Sequence, residues 1–220
     1  MSGETDRGLA LDRLAVTLGE RRLVAIDRRI PPGEVLTVMG PSGSGKSTLL
    51  AAITGTLAPA FRVSGGVRLD GTDILALSTH RRRIGLMMQE PMLFPHLSVG
   101  ENVAFGLAPG GGRAARRETV EAALAEAGLE GFDARDPATL SGGQQARVAL
   151  IRTLLSGPGA LLLDEPFSRL DAGLRTQIRG FVFERARAHG LPVLLVTHDA
   201  ADAEAAGGAV VGPEGDTPGA

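Results

Sequence analysis

Three glycines precede the only lysine of the chain, Lys46, in the segment Gly-Pro-Ser-Gly-Ser-Gly-Lys-Ser-Thr. The spacing G-x-x-x-x-G-K-[ST] is typical of a phosphate-binding loop, because its glycines let backbone N–H groups turn toward phosphate oxygens. All other basic residues are arginines, and a compact ammonium reaches between two phosphates where a planar guanidinium does not. We predict that the Ser47 hydroxyl binds Mg²⁺. The predicted nucleotide-binding residues are Gly40, Pro41, Ser42, Gly43, Ser44, Gly45, Lys46, Ser47 and Thr48.

The segments beside this loop predict the arrangement that it requires, a buried strand before it and a helix after it. Glu34–Met39 is short and mostly apolar, and Ser47–Leu57 has the composition of a helix. Further along, apolar strands at Ala160–Leu163 and Val193–Thr197 alternate with helical segments. This alternation predicts an α/β fold, in which helices cover both faces of a parallel sheet.

Two other parts of the chain differ from the alternating pattern. Residues 9–39 alternate apolar and polar side chains, which predicts an antiparallel β subdomain at the N-terminal end. Residues 90–157 are mostly helical and are expected to form a helical subdomain. We predict one domain over residues 1–206, followed by a flexible tail over residues 207–220 that is rich in glycine and proline.

Two carboxylates, Asp164 and Glu165, directly follow the strand Ala160–Leu163. Ligands of open α/β sheets bind beyond the carboxyl ends of the strands. Asp164 is therefore expected to hold Mg²⁺ opposite the Ser47 hydroxyl, and Glu165 to act as a general base toward water. The alternative is a solvated acidic turn before Pro166.

His198 follows the strand Val193–Thr197 at the same predicted edge of the sheet. A histidine here is either a structural residue or a group that faces the phosphates. The convergence of three strand ends, at Gly40, Asp164 and His198, favours the second interpretation.

A second glycine-containing helix start reads Leu-Ser-Gly-Gly-Gln over Leu140–Gln144. Ser141 and Gln144 have the spacing of a capping box, which is a structural reason for both. Gly142 and Gly143 each cost about 1 kcal/mol relative to alanine in a helix interior. The presence of these two glycines is explained if another group approaches the backbone closely. A phosphate is a suitable group, because a helix N-terminus binds anions. Because the chain already has one phosphate-binding loop for its own nucleotide, we predict that the helix start at Leu140–Gln144 binds the nucleotide of a second subunit.

Bulk properties exclude several classes of protein. The net charge of −2 gives no basic field for nucleic acid, and the Arg81–Arg83 run is expected to be a solvated face. The chain has no cysteine, which is compatible with a reducing cytosol. No apolar run reaches the ~18–20 residues that span a bilayer, so a role at a membrane requires a partner.

These segments, from about residue 9 to residue 206, make the chain similar to the ATP-binding subunits of ATP-binding cassette (ABC) transporters. In chain order, the resembling motifs are Walker A (Gly40–Thr48), the Q-loop glutamine (Gln89), the signature motif (Leu140–Gln144), Walker B (Leu161–Asp164), the D-loop (Ser168–Asp171) and the switch histidine (His198).

The resemblance implies a head-to-tail dimer of two copies of the chain, with ATP held between the Walker A motif of one copy and the signature motif of the other. It implies catalytic roles for Lys46, Glu165 and His198. The implied Mg²⁺ ligands are Ser47, Gln89 and Asp164. The implied ATP contacts outside Walker A are Gln89, Ser141, Gly142, Gly143, Gln144 and Asp171.

The segment Gln89–Val103 resembles that of importers, where it lines a groove for a coupling helix of the membrane permease. Asp136–Thr139 and Asp164–Asp171 are similar to segments of YnjCD-type importers. The resemblance therefore implies a peripheral protein at the cytoplasmic face of the inner (plasma) membrane. Its implied partners are a permease and, indirectly, a substrate-binding protein, without nucleic acid.

Other functions remain open on the sequence alone. A soluble cassette protein acting on ribosomes or DNA generally has two cassettes or a long coiled-coil insert, and this sequence has neither. A small-molecule P-loop kinase needs neither the signature helix nor the Asp164–Glu165 pair. The ATPase subunit of an exporter is harder to distinguish, although Phe94–His96 and Glu101–Val103 favour import.

The position that stacks on adenine in this family carries Leu18, and the chain has no Trp or Tyr. Stacking on an aromatic side chain is worth about 1–3 kcal/mol per base in nucleic-acid binders. We therefore expect weak base selection, with GTP hydrolysed within about tenfold of ATP. Steady-state hydrolysis of both nucleotides by the wild type and by Leu18→Ala tests this. A strong preference for ATP would show that other contacts read the base.

Overall fold

The computed structural model describes residues 7–215, which divide into two compact units. The first unit contains the described residues up to Leu86, together with Gly159–Glu165 and the chain from Phe183 onward. The second contains Met87–Pro158 and Pro166–Val182. None of the helices within residues 7–215 has both the length and the apolar character needed to cross a membrane.

Helices and strands alternate after an N-terminal hairpin. The strands are β1 (Leu9–Leu18), β2 (Arg21–Ile30), β3 (Val35–Met39), β4 (Phe61–Leu69), β5 (Thr72–Asp73), β6 (Ile84–Met87), β7 (Ala160–Asp164), β8 (Val193–Thr197) and β9 (Ala209–Val211). The α-helices are α1 (Lys46–Thr54), α2 (Val99–Ala104), α3 (Arg113–Glu126), α4 (Gly142–Leu155), α5 (Ala172–Ala188) and α6 (Ala200–Ala206).

The N-terminal sheet is antiparallel, with the strand order β2-β1-β4-β5. Strand β1 buries Leu9, Leu11, Leu14 and Val16 completely. A register shift between Leu11 and Leu14 accounts for the two-residue break in the alternation and is typical of a β-bulge. The predicted antiparallel part of the first unit is confirmed.

The second sheet has the strand order β6-β7-β8-β3-β9, and β7, β8, β3 and β9 pair in parallel. Met39 is opposite Thr197, and Asp164 is opposite Val196. The carboxyl ends of β3, β7 and β8 therefore lie at one edge of the sheet. This is the predicted α/β architecture, and it brings Gly40, Glu165 and His198 to the same edge.

The prediction of a flexible tail from Gly207 is wrong for β9, which pairs with β3 and buries Val211 in the core. Two glycines precede the strand, and a Cβ at Gly208 would lie 2.1 Å from the Val35 carbonyl oxygen. The glycine is thus needed for close approach to β3 rather than for flexibility. The part of the predicted tail at residues 216–220 lies outside the described residues.

The second unit has its own apolar core, built by α2, α3 and α4 with Val103, Leu124 and Val148 among its buried residues. Phe181 of α5 packs against this core. A Cβ at Gly143 would lie 2.6 Å from Leu174 Cδ1, so α4 and α5 are also in close contact. These contacts explain why the unit extends beyond the expected subdomain at residues 90–157 and includes residues 166–182.

The Arg81–Arg83 run is not uniformly solvated, because Arg82 is only 8% exposed. Its guanidinium donates to the carbonyl oxygens of Ala52 and Ile53 at 2.9 and 2.8 Å, at the end of α1. It also donates to Leu77 O at 2.9 Å and to Leu75 O at 3.0 Å. Burial lowers the pKa of Arg82. Arg82 therefore satisfies the last carbonyls of the helix that follows the glycine loop.

Arg82→Ala removes the donor for four carbonyl oxygens, and each buried acceptor left unpaired costs about 1–3 kcal/mol. We expect a loss of at least about 3 kcal/mol in the free energy of unfolding, measured by urea denaturation. The exposed neighbour Arg81 is the control, and Arg81→Ala should change stability by less than about 0.5 kcal/mol. Equal effects of the two substitutions would contradict the role of Arg82.

Candidate nucleotide site

The glycine loop runs from the end of β3 to the start of α1. Gly43 and Gly45 have φ values of 79° and 95°, in the region that favours glycine. A Cβ at Gly45 would lie 2.9 Å from the Leu23 carbonyl oxygen, so the loop also needs glycine for space. Gly45 precedes α1 without a side-chain cap hydrogen bond. The first N–H groups of α1 thus lack a side-chain cap, as at helix starts that bind phosphate.

Lys46 is folded back over this loop and is 5% exposed. Its Nζ donates to Gly40 O at 2.7 Å and to Pro41 O at 2.9 Å. The same Nζ lies 3.5 Å from Glu165 Oε1. The ammonium is therefore fixed above the loop by carbonyl dipoles and a carboxylate, where a phosphate can take the place of these partners.

Ser47 and Asp164, 117 residues apart in sequence, meet at the start of α1, where Ser47 Oγ donates to Asp164 Oδ1 at 3.2 Å. Burial raises the pKa of Asp164, and the Glu165 charge raises it further. The Ser47 hydrogen bond and the Lys46 charge oppose this shift. Among the described residues, no group of three or more His, Cys, Asp or Glu side chains forms a metal site. One hydroxyl and one carboxylate fit Mg²⁺, which usually takes one or two carboxylates plus substrate phosphates.

Glu165 has a left-handed backbone conformation, with φ at 45°. This is uncommon for a residue with a long side chain and is often found at functional sites. Its N–H donates to Val196 O at 3.0 Å, which ties the turn to β8. Glu165 Oε2 lies 3.2 Å from His198 Nδ1, while Oε1 faces Lys46. One carboxylate therefore joins the two other predicted catalytic side chains.

The turn that carries His198 is fixed by hydrogen bonds around Thr197. The Thr197 hydroxyl donates to Asp202 Oδ2 and accepts from the Asp199 N–H, both at 3.0 Å. Asp199 Oδ1 accepts from Ala201 N at 2.8 Å and caps α6. Sequence reasoning missed Thr197 and Asp202. The available signal was a buried strand that ends in a hydroxyl, followed five residues later by a carboxylate.

A cavity of about 610 Å³ adjoins the glycine loop. Its walls include Pro41, Ser44 and His198, the start of β2 at Arg21–Leu23, and the segment Gly212–Glu214 after β9. Pro213 O accepts from Ala25 N at 2.9 Å and holds this C-terminal segment on β2. The segment was not among the predicted site residues.

Leu18, the residue predicted at the adenine-stacking position, lies at the end of β1. It is 44% exposed and pairs with Phe61 of β4 across the strands.

The predicted residues Gln89, Ser141–Gln144 and Asp171 lie in the second unit. Ser141 Oγ accepts from Gln144 N at 3.3 Å, and Gln144 Oε1 accepts from Ser141 N at 2.9 Å, so the predicted capping box is present. The close approach of Leu174 explains Gly143 by packing within the subunit. A Cβ at Gly142 would make only an ordinary contact, 3.6 Å from Leu170 Cδ2.

The sequence profile of the ABC transporter family matches residues 23–168. The chain belongs to this family. The uncharacterized ABC transporter ATP-binding protein YnjD of Escherichia coli K12 is 46% identical over 198 residues, which cover 90% of this chain and 91% of YnjD. The thiamine import ATP-binding protein ThiQ of Cereibacter sphaeroides is 44% identical over 196 residues, which cover 89% of this chain and 83% of ThiQ.

Among solved structures, the chain is similar to the dimeric post-hydrolysis state of the ATP-binding cassette MJ0796 bound to ADP and Pi. The TM-score is 0.76 at 31% identity, and 96% of each chain is covered. The predicted resemblance to ABC proteins and to YnjCD-type systems is confirmed. The chain is an ATP-binding ATPase subunit of the ABC transporter family.

The raised pKa of Asp164 has a consequence for stability in the metal-free chain. A carboxyl group with a raised pKa contributes stability below its ordinary value of 3.8, and this contribution is lost as pH rises through the raised pKa. At neutral pH the Asp164 charge therefore destabilises the nucleotide-free fold. We expect Asp164→Asn to raise the Tm at pH 7 in EDTA and to abolish ATP hydrolysis. The Tm gain should shrink as the pH is lowered toward 4. A Tm below that of the wild type at pH 7 would contradict this assignment.

Proposed function

We propose that the chain is the ATP-hydrolysing subunit of a binding-protein-dependent importer and works as a head-to-tail dimer on a membrane permease. The observation that carries this proposal is the convergence of Lys46, Ser47, Asp164, Glu165 and His198 at one edge of the parallel sheet. These residues come from three separate parts of the chain, and each has the chemistry that its position in phosphoryl transfer to water requires.

The N–H groups at the start of α1 and the Lys46 ammonium would bind the β- and γ-phosphates. Ser47 and Asp164 would hold Mg²⁺, and the bound ion would neutralise phosphate charge. Glu165 would accept a hydrogen bond from the attacking water and take its proton as oxygen bonds to the γ-phosphorus and the bond to ADP breaks. His198 would donate to the γ-phosphate. Most of the rate gain then comes from positioning and electrostatics.

The start of α4 supports the dimer. Gly142 leaves the first turn open to approach from outside the subunit, since a side chain there would meet little within it. Ser141, Gly142, Gly143 and Gln144 are proposed to bind the ATP held by the partner, with Asp171 near the same interface. The similarity to the MJ0796 dimer bound to ADP and Pi supports this arrangement.

A cavity of about 470 Å³ in the second unit supports the permease interface. Its walls include Gln89, Pro91, Met92, Pro137 and Leu170. Met92 is 59% exposed, and methionine is enriched at protein–protein interfaces relative to the rest of the surface. A short helix of a permease fits a groove with this composition. Import is favoured because ThiQ is named as an import ATP-binding protein.

Glu165→Gln tests the catalytic part of the proposal, because the amide keeps the shape of the side chain but cannot take a proton. We expect ATP binding to persist while kcat falls by about 10²-fold or more. The variant with ATP should then accumulate as a dimer in light scattering. The wild type with ATP and the variant without nucleotide are the controls. A variant that stays monomeric with ATP would contradict the sandwich arrangement.

The same variant tests the partner. Tagged Glu165→Gln with ATP, incubated with native membranes, should retain a multi-spanning permease whose genomic neighbour is a binding protein. Met92→Asp, placed in the same background, should lose the permease while it still dimerises with ATP, because a charge in the groove is costly to desolvate. Recovery of ribosomal proteins or nucleic acid without an integral membrane protein would support the soluble alternative.

A further inference from the structure

An ion pair in the second unit joins two segments that both carry predicted site residues. Glu90 Oε1 pairs with Arg169 Nη1. Glu90 directly follows Gln89, and Arg169 lies two residues before Asp171. Both side chains are more than half exposed, and ion pairs that are exposed to this degree contribute little to stability. Stabilisation of the fold therefore does not explain the presence of this pair. Its position, between the segment after Gln89 and the turn before Asp171, suggests a functional reason instead.

The segment after Gln89 is also fixed by Arg152 of α4. Arg152 Nη2 donates to Pro91 O at 3.2 Å and to Met92 O at 3.0 Å. Its guanidinium also lies 5.0 Å from the centre of the Phe94 ring. Met92 has a left-handed backbone, with φ at 46°, which these bonds help to hold.

The buried Asn102 of α2 fixes the same segment further along. Its Oδ1 accepts from Phe94 N at 2.8 Å and from Arg152 Nη1 at 3.2 Å. Its Nδ2 donates to the carbonyl oxygens of Phe94, Leu97 and Ser98 at 3.0–3.2 Å. From Pro91 to Ser98 the backbone is therefore bound to α2 and α4 by buried or half-buried groups.

The loop that carries Arg169 is bound to the start of α5. Asp171 Oδ1 accepts from Leu174 N at 3.0 Å. Arg175 Nη2 donates to Leu170 O at 3.1 Å and to Ser168 O at 3.4 Å. Arg169 and Asp171 therefore lie in one short turn that hydrogen bonds hold to the start of α5.

Glu90 and Arg169 also line the cavity of the second unit, together with Met92, Pro95 and Leu170. The pair is exposed to water and screened by salt in the isolated chain. A protein segment in the cavity would exclude water from around the pair and strengthen the attraction between the two charges. The contact between the segment after Gln89 and the Asp171 turn would then tighten when the cavity is filled.

We propose that Arg169 is a positioning residue for ATP hydrolysis, which acts through its ion pair with Glu90 to hold the Asp171 turn against the segment after Gln89. The inference rests on the proposed function, because it assigns the two segments to the hydrolytic cycle. It adds to that function a connection between the cavity of the second unit, where a permease is proposed to bind, and the turn that carries Asp171.

Steady-state ATP hydrolysis by the full chain tests this with Arg169→Gln, Glu90→Gln and the exchanged pair Glu90→Arg/Arg169→Glu. We expect each single variant to lower kcat by about fivefold with the KM for ATP within about twofold of the wild type. The exchanged pair should recover at least about half of the lost kcat, because it restores the attraction. Raising NaCl from about 50 mM to about 500 mM should lower kcat more in the wild type than in Arg169→Gln.

Arg117→Gln is the matched control, since it breaks the exposed Arg117–Glu121 pair of α3 in the same unit with the same change of charge. It should leave kcat unchanged, and its Tm should match that of Arg169→Gln. The inference is overturned if Arg169→Gln and Glu90→Gln match Arg117→Gln in kcat, if they change KM alone, or if the exchanged pair recovers nothing.

Glu165→Gln, assayed in parallel, separates this inference from the proposed function. If the wild type hydrolyses ATP, Glu165→Gln does not, and Arg169→Gln behaves like Arg117→Gln, the positioning role is wrong while the proposed function stands. If the wild type does not hydrolyse ATP, both are wrong.

Discussion

The parallel register of β3, β8 and β7 is the constraint on which the site of the first unit depends. Pairing of Met39 with Thr197, and of Asp164 with Val196, brings the ends of three strands to one level. Three distant segments of the chain then place an ammonium, two carboxylates and an imidazole within a few ångströms of each other. A slip of one residue in any of these pairs would reverse the faces of the side chains and separate the groups.

The groups at this edge are held in positions that are unfavourable in the absence of nucleotide. Burial raises the pKa of the Asp164 carboxyl, and Glu165 has a left-handed backbone. The burial of apolar side chains in the parallel sheet offsets the free-energy cost of these positions. β7 and β8 consist almost entirely of fully buried residues, and their backbone hydrogen bonds fix the turns that follow. The site is thus pre-formed for a charged ligand and becomes less strained when phosphates and a cation occupy it.

Sequence reasoning predicted the parts that depend on local pattern. The glycine loop, the Asp164–Glu165 turn and the capping box of α4 each carry their signal within a few residues. It failed where long-range packing decides. The glycine- and proline-rich composition of residues 207–220 predicts a flexible tail, although Gly208 is required for close approach to the Val35 carbonyl oxygen and leads into β9. Arg82 was expected to be solvated, because nothing local shows that the end of α1 lies beside it.

The second unit combines two kinds of polar connection that differ in strength. Asn102 and Arg152 are buried or half-buried, and removal of either would leave several carbonyl oxygens without their donors, so these contacts are costly to break. The Glu90–Arg169 pair is exposed and can open and close at little cost. The segment after Gln89 is fixed firmly to α2 and α4 but only loosely to the Asp171 turn. A change at the cavity can therefore alter its contact with the Asp171 turn while its contacts with α2 and α4 stay in place. Buried hydrogen bonds set the shape of the segment, and the exposed charges leave one of its contacts adjustable.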